Sequence, residues 1–322
     1  MGPGGPDRPV GGLSVRPPTG VELRPAGRED LDVVLALLAE REALPPPTLA
    51  LELARDRWEA VISSVDAAPF LAVAEGEPVG MLLLFFRRRL NFATWEAWVP
   101  ELVVAPGARR RGIGRVLLRV AIEEWRLRGA HRLAVEVTEG DEAERGLLGS
   151  LGLEEALLRF RQEPIVNRGV APPADVIIRR VEPDDAEAVT RVVAEMGPAR
   201  SPVPERMEAV GRSFAELIRR AQDASRVAVR DGTLVGVCSL ELRETLRAEA
   251  REAWIPELVV TERMRGQGIG AALLDSALSD AADRGAGAAT LESGARREVA
   301  HALYRSAGFE PAGALFTLLR DR

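Results

Sequence analysis

A chain of 322 residues is too long for one average domain and suits two of about 150 residues each. With 46% apolar and 29% charged residues it fits a water-soluble globular protein, and no apolar run reaches the roughly 20 residues that cross a bilayer. The net charge of −6 argues against a general nucleic-acid footprint, and the single cysteine, Cys238, excludes an internal disulfide.

Residues 1–19 are rich in Gly and Pro and have no apolar stretch. They are expected to form a disordered tail and not a signal peptide, and with one cysteine this places the chain in the cytoplasm. A short strand is expected at 21–24, a helix behind an acidic start at 29–41, and a second helix at 48–64. Strands at 70–75 and 79–86 pair as a hairpin. A longer strand runs through WVPELVV at 98–104, and RRRGIG at 109–114 leads from it into a helix at 113–128. A strand, a short helix and a closing strand end the unit.

The series then repeats. A strand at 176–180 and helices at 184–194 and 204–222 precede a hairpin of 226–230 with 234–242, turning at Asp231-Gly232. WIPELVV at 254–260 and RGQGIG at 265–270 lie 156 residues after their counterparts, as do Val235-Gly236 after Val79-Gly80 and Gly308 after Gly152. A constant offset over so long a stretch means duplication. The chain is therefore divided into a first copy at 20–162, a linker at 163–175 and a second copy at 176–322. The element order predicts an α/β protein: two tandem domains, each a mixed central sheet with helices on both faces.

In both copies the strand, the Gly-rich loop and an apolar-periodic helix form one unit. Glycines let the backbone approach a ligand, and the amides at a helix start, with the positive dipole end, favour an anion such as a pyrophosphate. A dinucleotide fingerprint would need G-x-G-x-x-G after the first strand, and a Walker loop would need a lysine, which the chain lacks. A plain tight connector is the remaining structural reading, and the loop's recurrence behind the same strand argues against it.

The R-x-x-G-x-G loop, the strand order of both copies and the closing segment ESGARREVAHALYRSAGFE (292–310) resemble the GNAT superfamily of N-acetyltransferases. The tandem arrangement is similar to that of mycothiol synthase and other two-domain members. The resemblance implies acetyl-CoA as co-substrate, no metal, and direct attack by a primary amine of a small molecule or a peptide N-terminus. In the second copy it assigns the pantetheine arm to the backbone of Leu258, Val259 and Val260, with an amide near Leu258 or Val259 polarising the thioester carbonyl. The pyrophosphate goes to the amides of Arg265, Gly266, Gln267, Gly268, Ile269 and Gly270. The matching positions in the first copy are Leu102, Val103 and Val104, then Arg109, Arg110, Arg111, Gly112, Ile113 and Gly114. Self-acetylation of an internal lysine is excluded by composition.

Tyr304 is the chain's one tyrosine and falls where this family often keeps its general acid. The competing reading is packing beside Phe309 with the hydroxyl at the surface. The first copy has Leu148 at that position, so the second copy is expected to be catalytic and the first a degenerate copy that binds CoA or serves as scaffold. The rival is a first copy that works without a tyrosine. Glu257 is the first candidate for the base and Glu292 the second, although Glu101 repeats Glu257 and a structural role would repeat too. His301 is expected at the surface, Cys238 in the core, and Trp98 and Trp254 in the core or the cleft wall. The Arg87-Arg88-Arg89 run is open to the CoA 3′-phosphate, an acidic partner or a solvated strand end. Substrate choice is expected at the second helix of each copy, behind the prolines at 45–47 and at 202 and 204. Neither a nucleic acid nor a membrane is expected as partner, and a homodimer is left open. The alternative function is an acyl-CoA sensor without turnover, for which a proton donor has no use.

Overall fold

The structure is a computed structural model that describes residues 15–41, 46–92, 94–196, 208, 211 and 225–320. The helix expected at 204–222 falls almost wholly outside the described residues. The first copy runs β1 (Val21–Pro25), α1 (Leu31–Ala39), α2 (Leu51–Ser63), β2 (Phe70–Ala74), β3 (Glu77–Arg87), β4 (Glu96–Val104), α3 (Ile113–Leu127), β5 (Arg132–Val137), α4 (Glu142–Gly149) and β6 (Glu154–Gln162). The second runs β7 (Val176–Arg180), α5 (Ala186–Ala194), β8 (Arg226–Arg230), β9 (Thr233–Cys238), β10 (Glu241–Arg243), β11 (Arg251–Ile255), β12 (Leu258–Val260), α6 (Ile269–Asp283), β13 (Ala286–Gly294), α7 (Glu298–Ser306) and β14 (Glu310–Leu319). The expected α/β class, two tandem units, is the observed one.

Local rules recur at the duplicated positions. Arg24 forks onto Asp30 at 2.7 and 2.6 Å, and Arg179 forks onto Asp185 at 2.7 Å twice, so each copy fastens its first strand to its first helix in the same way. Ile113, Val116, Leu117, Val120 and Ala121 give α3 an apolar stripe at helical spacing, and it lies on the sheet over Gly80. A Cβ on Gly80 would meet Ile113 Cγ2 at 3.1 Å, and one on Gly236 would meet Leu273 Cδ1 at 2.9 Å. The repeated Val-Gly pair is therefore a packing requirement of helix on sheet.

The closing strands depart from expectation. Ten strands form one sheet in the order β1-β2-β3-β4-β5-β14-β6-β13-β11-β10, and β12-β9-β8-β7 form a second. The last strand of the second copy, β14, thus enters the first copy's sheet beside β5, and β6 leaves the first copy to pair with β13. Each copy is closed by the other's last strand, and β14 and β6 pair with each other between them. Phe160 on β6 and Leu315 on β14 are fully buried by this exchange.

The hairpin tips exchange as well. Leu90, just past β3, is buried in the second copy's cluster with Val189 and Val259, and its counterpart Leu246 is buried in the first copy's cluster with Leu38 and Trp58. Arg87 and Arg89 follow this path and are buried, neither on a solvated strand end nor free for a CoA phosphate. Both bind Glu96 of their own copy and Glu292 of the other, and Arg89 also donates to the Pro256 carbonyl. The segment 163–175 lies along α6, where Asp275 accepts the Arg168 and Val170 amides at 2.8 and 2.9 Å.

Candidate active site

In each copy the central strand parts from its parallel neighbour at a proline. β4 pairs with β5 from Glu96 to Val99, and then continues from Pro100 to Val104 against β3 alone. In the second copy β11 pairs with β13 as far as Ile255, and beyond Pro256 the chain resumes as β12 against β9, in the other sheet. Proline has no amide to give the ladder, so it suits the first residue of the gap. The result is a V-shaped opening whose near wall is the backbone of Leu102, Val103 and Val104, or of Leu258, Val259 and Val260.

The Gly-rich loop begins at the open end of that V. Arg109 and Arg265 fold back onto the Val104 and Val260 carbonyls at 3.1 and 3.0 Å, and their amides donate to the Pro106 and Glu262 carbonyls at 3.3 Å, so both fasten the loop and the amides after them are what remain for a ligand. The backbone turns left-handed at two alternate positions: Arg110 and Gly112 (φ 65° and 83°), and Gly266 and Gly268 (φ 76° and 82°). Amides so arranged ahead of Ile113-Gly114 and Ile269-Gly270, where α3 and α6 start, form an anion cradle. No atom lies within 4 Å of where a Cβ on Gly266 or Gly268 would stand, so the second cradle is open in front. Gln267 is held at its rim by Arg230, at 3.0 Å. The amides of both loops fit a diphosphate such as that of acetyl-CoA, with the space in front open in the second copy and approached by Pro18, 3.5 Å from a Cβ on Gly112, in the first.

Four titratable groups of the second copy were singled out by the sequence. Tyr304 on α7 is 9% exposed, its ring 5.7 Å from that of Phe160 and 6.3 Å from that of Phe309, with Cys238 and Ser293 beside the phenol. Its hydroxyl is therefore inside the molecule. Burial pushes it up to about 12, helped by Cys238 and opposed by Arg297 and Ser293. Glu257 is 1% exposed and accepts from the Ser239 hydroxyl and the Leu90 amide, and burial raises its pKa above the ordinary value. Glu292 behaves oppositely. Arg87 and Arg89 outweigh its burial and hold it at about 2, with the Trp254 indole donating at 2.9 Å. A carboxylate held there is a poor proton acceptor, and Glu292 acts as the anchor of the clamp between copies. His301 is buried rather than superficial, 5.1 Å from the Phe160 ring, and its Nε2 has no hydrogen-bond partner.

The first copy contains groups that its sequence did not advertise. Glu101 meets Arg41 and, from the other copy, Arg247. Arg41 also reaches Glu144 on α4 at 3.4 Å. Burial, partly offset by Arg41, raises Glu144 to about 7. A polar helix reading EAERG gives no sign that one of its acids faces inward. Between the copies lies a cavity of about 830 Å³, lined among others by Pro100, Glu101, Thr138, Trp98, Arg87 and Arg243. It opens on the first copy's V.

The fold and the paired V-and-cradle sites define an acyl-CoA-dependent transferase class, and the comparisons agree. The acetyltransferase (GNAT) family model matches residues 35–153 and again 192–309, so the chain belongs to that family of N-acetyltransferases, with two tandem domains. It is 29% identical over 308 residues to a mycothiol acetyltransferase of Cellulomonas flavigena, covering 87% of this chain and 88% of that one. It is 39% identical over 109 residues to an aminoalkylphosphonate N-acetyltransferase of Salmonella typhimurium, covering 34% of this chain and 69% of that one. A GCN5-related N-acetyltransferase structure from Sphaerobacter thermophilus superposes with a TM-score of 0.66 at 20% identity, covering 94% of this chain and 96% of that one, a likeness of fold.

Proposed function

We propose that the protein transfers the acetyl group of acetyl-CoA to the primary amine of a small molecule, with the proton chemistry in the second copy. The observation that carries this reading is the proline-opened V with a left-handed amide cradle at its end, beside a buried phenol. Acetyl-CoA, when bound, supplies the thioester that the amine attacks. The amides of Gly266 to Gly270 hold the diphosphate, and the backbone of Leu258 to Val260 lies along the arm, with one amide turned to the thioester oxygen. Glu257 takes the ammonium proton; its raised pKa brings it nearer the range in which a base works. Tyr304 stays protonated at about 12 and donates a hydrogen bond to the departing thiolate.

The cavity volume favours a small molecule over a peptide end; two relatives are named for a phosphonate-bearing amine and for mycothiol, and a third, matched over 69 residues, for the alanine of a ribosomal protein. A second reading places transfer in the first copy, because the cavity opens on that V and Glu144 titrates near neutrality beside it. Gly268→Glu and Gly112→Glu separate the two. Each puts a charge and a strained side chain into one cradle. Turnover with a panel of amines, followed by thiol release, should collapse in Gly268→Glu and survive in Gly112→Glu. The reverse result assigns transfer to the first copy, and background release throughout leaves a binding module.

A further inference from the structure

The cavity between the copies is rich in charge, and almost all of that charge is matched. Arg41 and Arg247 share Glu101, Arg159 and Arg161 share Glu252, and Arg57 is taken by the carbonyls of Thr245, Ala248 and Glu249. Arg243 is the exception. Its side chain is nine-tenths buried, its one ion pair among the described residues is with Glu241, at 4.0 Å from Nε, with Glu292 and Glu252 farther off, and Nη2 has no hydrogen-bond partner. Arg87, bound to Glu96 and Glu292 through its other nitrogens, leaves Nη1 buried and equally without a partner. The two guanidinium groups stack on the same pair of indoles. Arg243 lies 3.5 Å over Trp254 and 4.5 Å from Trp98, and Arg87 lies 4.2 and 4.6 Å from them.

We infer that this cavity takes a small amine carrying an anionic group, a carboxylate or a phosphoryl, and that Arg243 and Arg87 receive that group. Two buried nitrogens on guanidinium groups that share one pair of indoles, each without a hydrogen-bond acceptor, are stable only in part through the ring faces. An oxyanion presenting two acceptors would satisfy both, in the forked geometry that guanidinium groups favour. Burial, with Arg87 alongside, lowers Arg243 only to about 10 against Glu241, Glu292 and Glu252, so it is still charged at neutral pH. The cavity is of a size to enclose a small molecule and it ends at the first copy's V, so an amine at the far end of the ligand would lie toward a thioester held in that copy. This inference rests on the second reading above, with an amine acetylated in the first copy, but the anion site itself is tested by binding alone.

The test uses the full chain and paired probes: 4-aminobutyrate against n-butylamine, and O-phosphoethanolamine against ethanolamine, by calorimetry and by acetyl-CoA-dependent thiol release. In the wild type, at least one anion-bearing probe should bind about tenfold or more tighter than its neutral partner. Arg243→Met, which keeps the stacked stem, should bring that probe down to its partner's affinity, and Arg243→Lys should recover part of the difference. Equal binding within both pairs by the wild type would overturn the inference without any variant, as would a preference kept in Arg243→Met. Inorganic phosphate forms a separate arm. If it binds as tightly as O-phosphoethanolamine, the site reads a free anion and the amine part is wrong. An anion preference without thiol release would keep the site and reject the transferase reading, and release without preference would do the opposite.

Discussion

Replacing Tyr304 by Phe removes one oxygen from a site otherwise walled by Phe160, Phe309 and Cys238. The ring contacts survive, so the substitution isolates the hydroxyl. Tyr304→Phe is expected to lower kcat tenfold or more while KM for acetyl-CoA stays within about twofold, measured by thiol release; a kcat within twofold of wild type removes the donor from the scheme. With a pKa of about 12 the phenol should leave no alkaline limb below pH 10 in the rate profile. Glu144 should show itself in stability. Its folded pKa, about 7, is above the ordinary 4.5, so its contribution is full below 4.5 and is lost as pH rises through 7, a loss of roughly 3 kcal/mol for a carboxyl this buried. Glu144→Gln should therefore match wild type at pH 4.5 and be more stable by about 1–3 kcal/mol at pH 8, where Arg41 still has Glu101; equal midpoints at both pH values would refute the shift. Tyr304 was legible in the sequence because the residue type occurs once and its duplicate is Leu148. Glu144 and Arg243 were not. An inward-facing acid and an unmatched guanidinium are properties of what surrounds them, and their surroundings come from distant segments of the chain.

The strand, the cradle and its helix were legible because turn chemistry is local. Proline opens the V, glycine or a strained Arg110 bends the loop, and the apolar stripe of α3 or α6 follows at once. The leading arginine's part was not legible, since the amide expected on the anion donates to the Pro106 or Glu262 carbonyl and the guanidinium serves the strand-end carbonyl. The hairpin tip was missed entirely: Leu90 and Leu246 follow arginine and glutamate runs that read as solvated ends, and their partners lie in the other copy. Leu246→Ala should cost about 2–5 kcal/mol in denaturant unfolding, the range for emptying a closed core site, and Leu90→Ala should do the same to the opposite copy. A loss under 0.5 kcal/mol for both would mean that the tips rest on the surface and do not enter the cores. Leu90→Ala carries a further effect, because the Leu90 amide is one of the two donors that hold Glu257.

At the level of the molecule, neither copy is complete alone. Without its partner, β14 would lose both β5 and β6, its two flanking strands, and β13 would lose β6. Residues 176–322 expressed alone are expected to lack a cooperative unfolding transition as a monomer, and to recover one when mixed with 1–175; a fragment that unfolds cooperatively by itself would show that the exchange is dispensable. The strand boundaries foretold none of this, because an apolar strand pattern specifies a neighbour's chemistry and not its identity.

The two exchanged strands and the two exchanged tips are reciprocal, as in a pair of identical subunits. In such a pair every substitution appears twice, so a change that helps one site is imposed on the other. Here the peptide bond between the halves lifts that obligation. One half is free to keep a phenol and the other to give it up, while the frame that aligns them remains shared. The differences between Tyr304 and Leu148, or Gly266 and Arg110, are what such a frame permits once its halves are inherited as one chain.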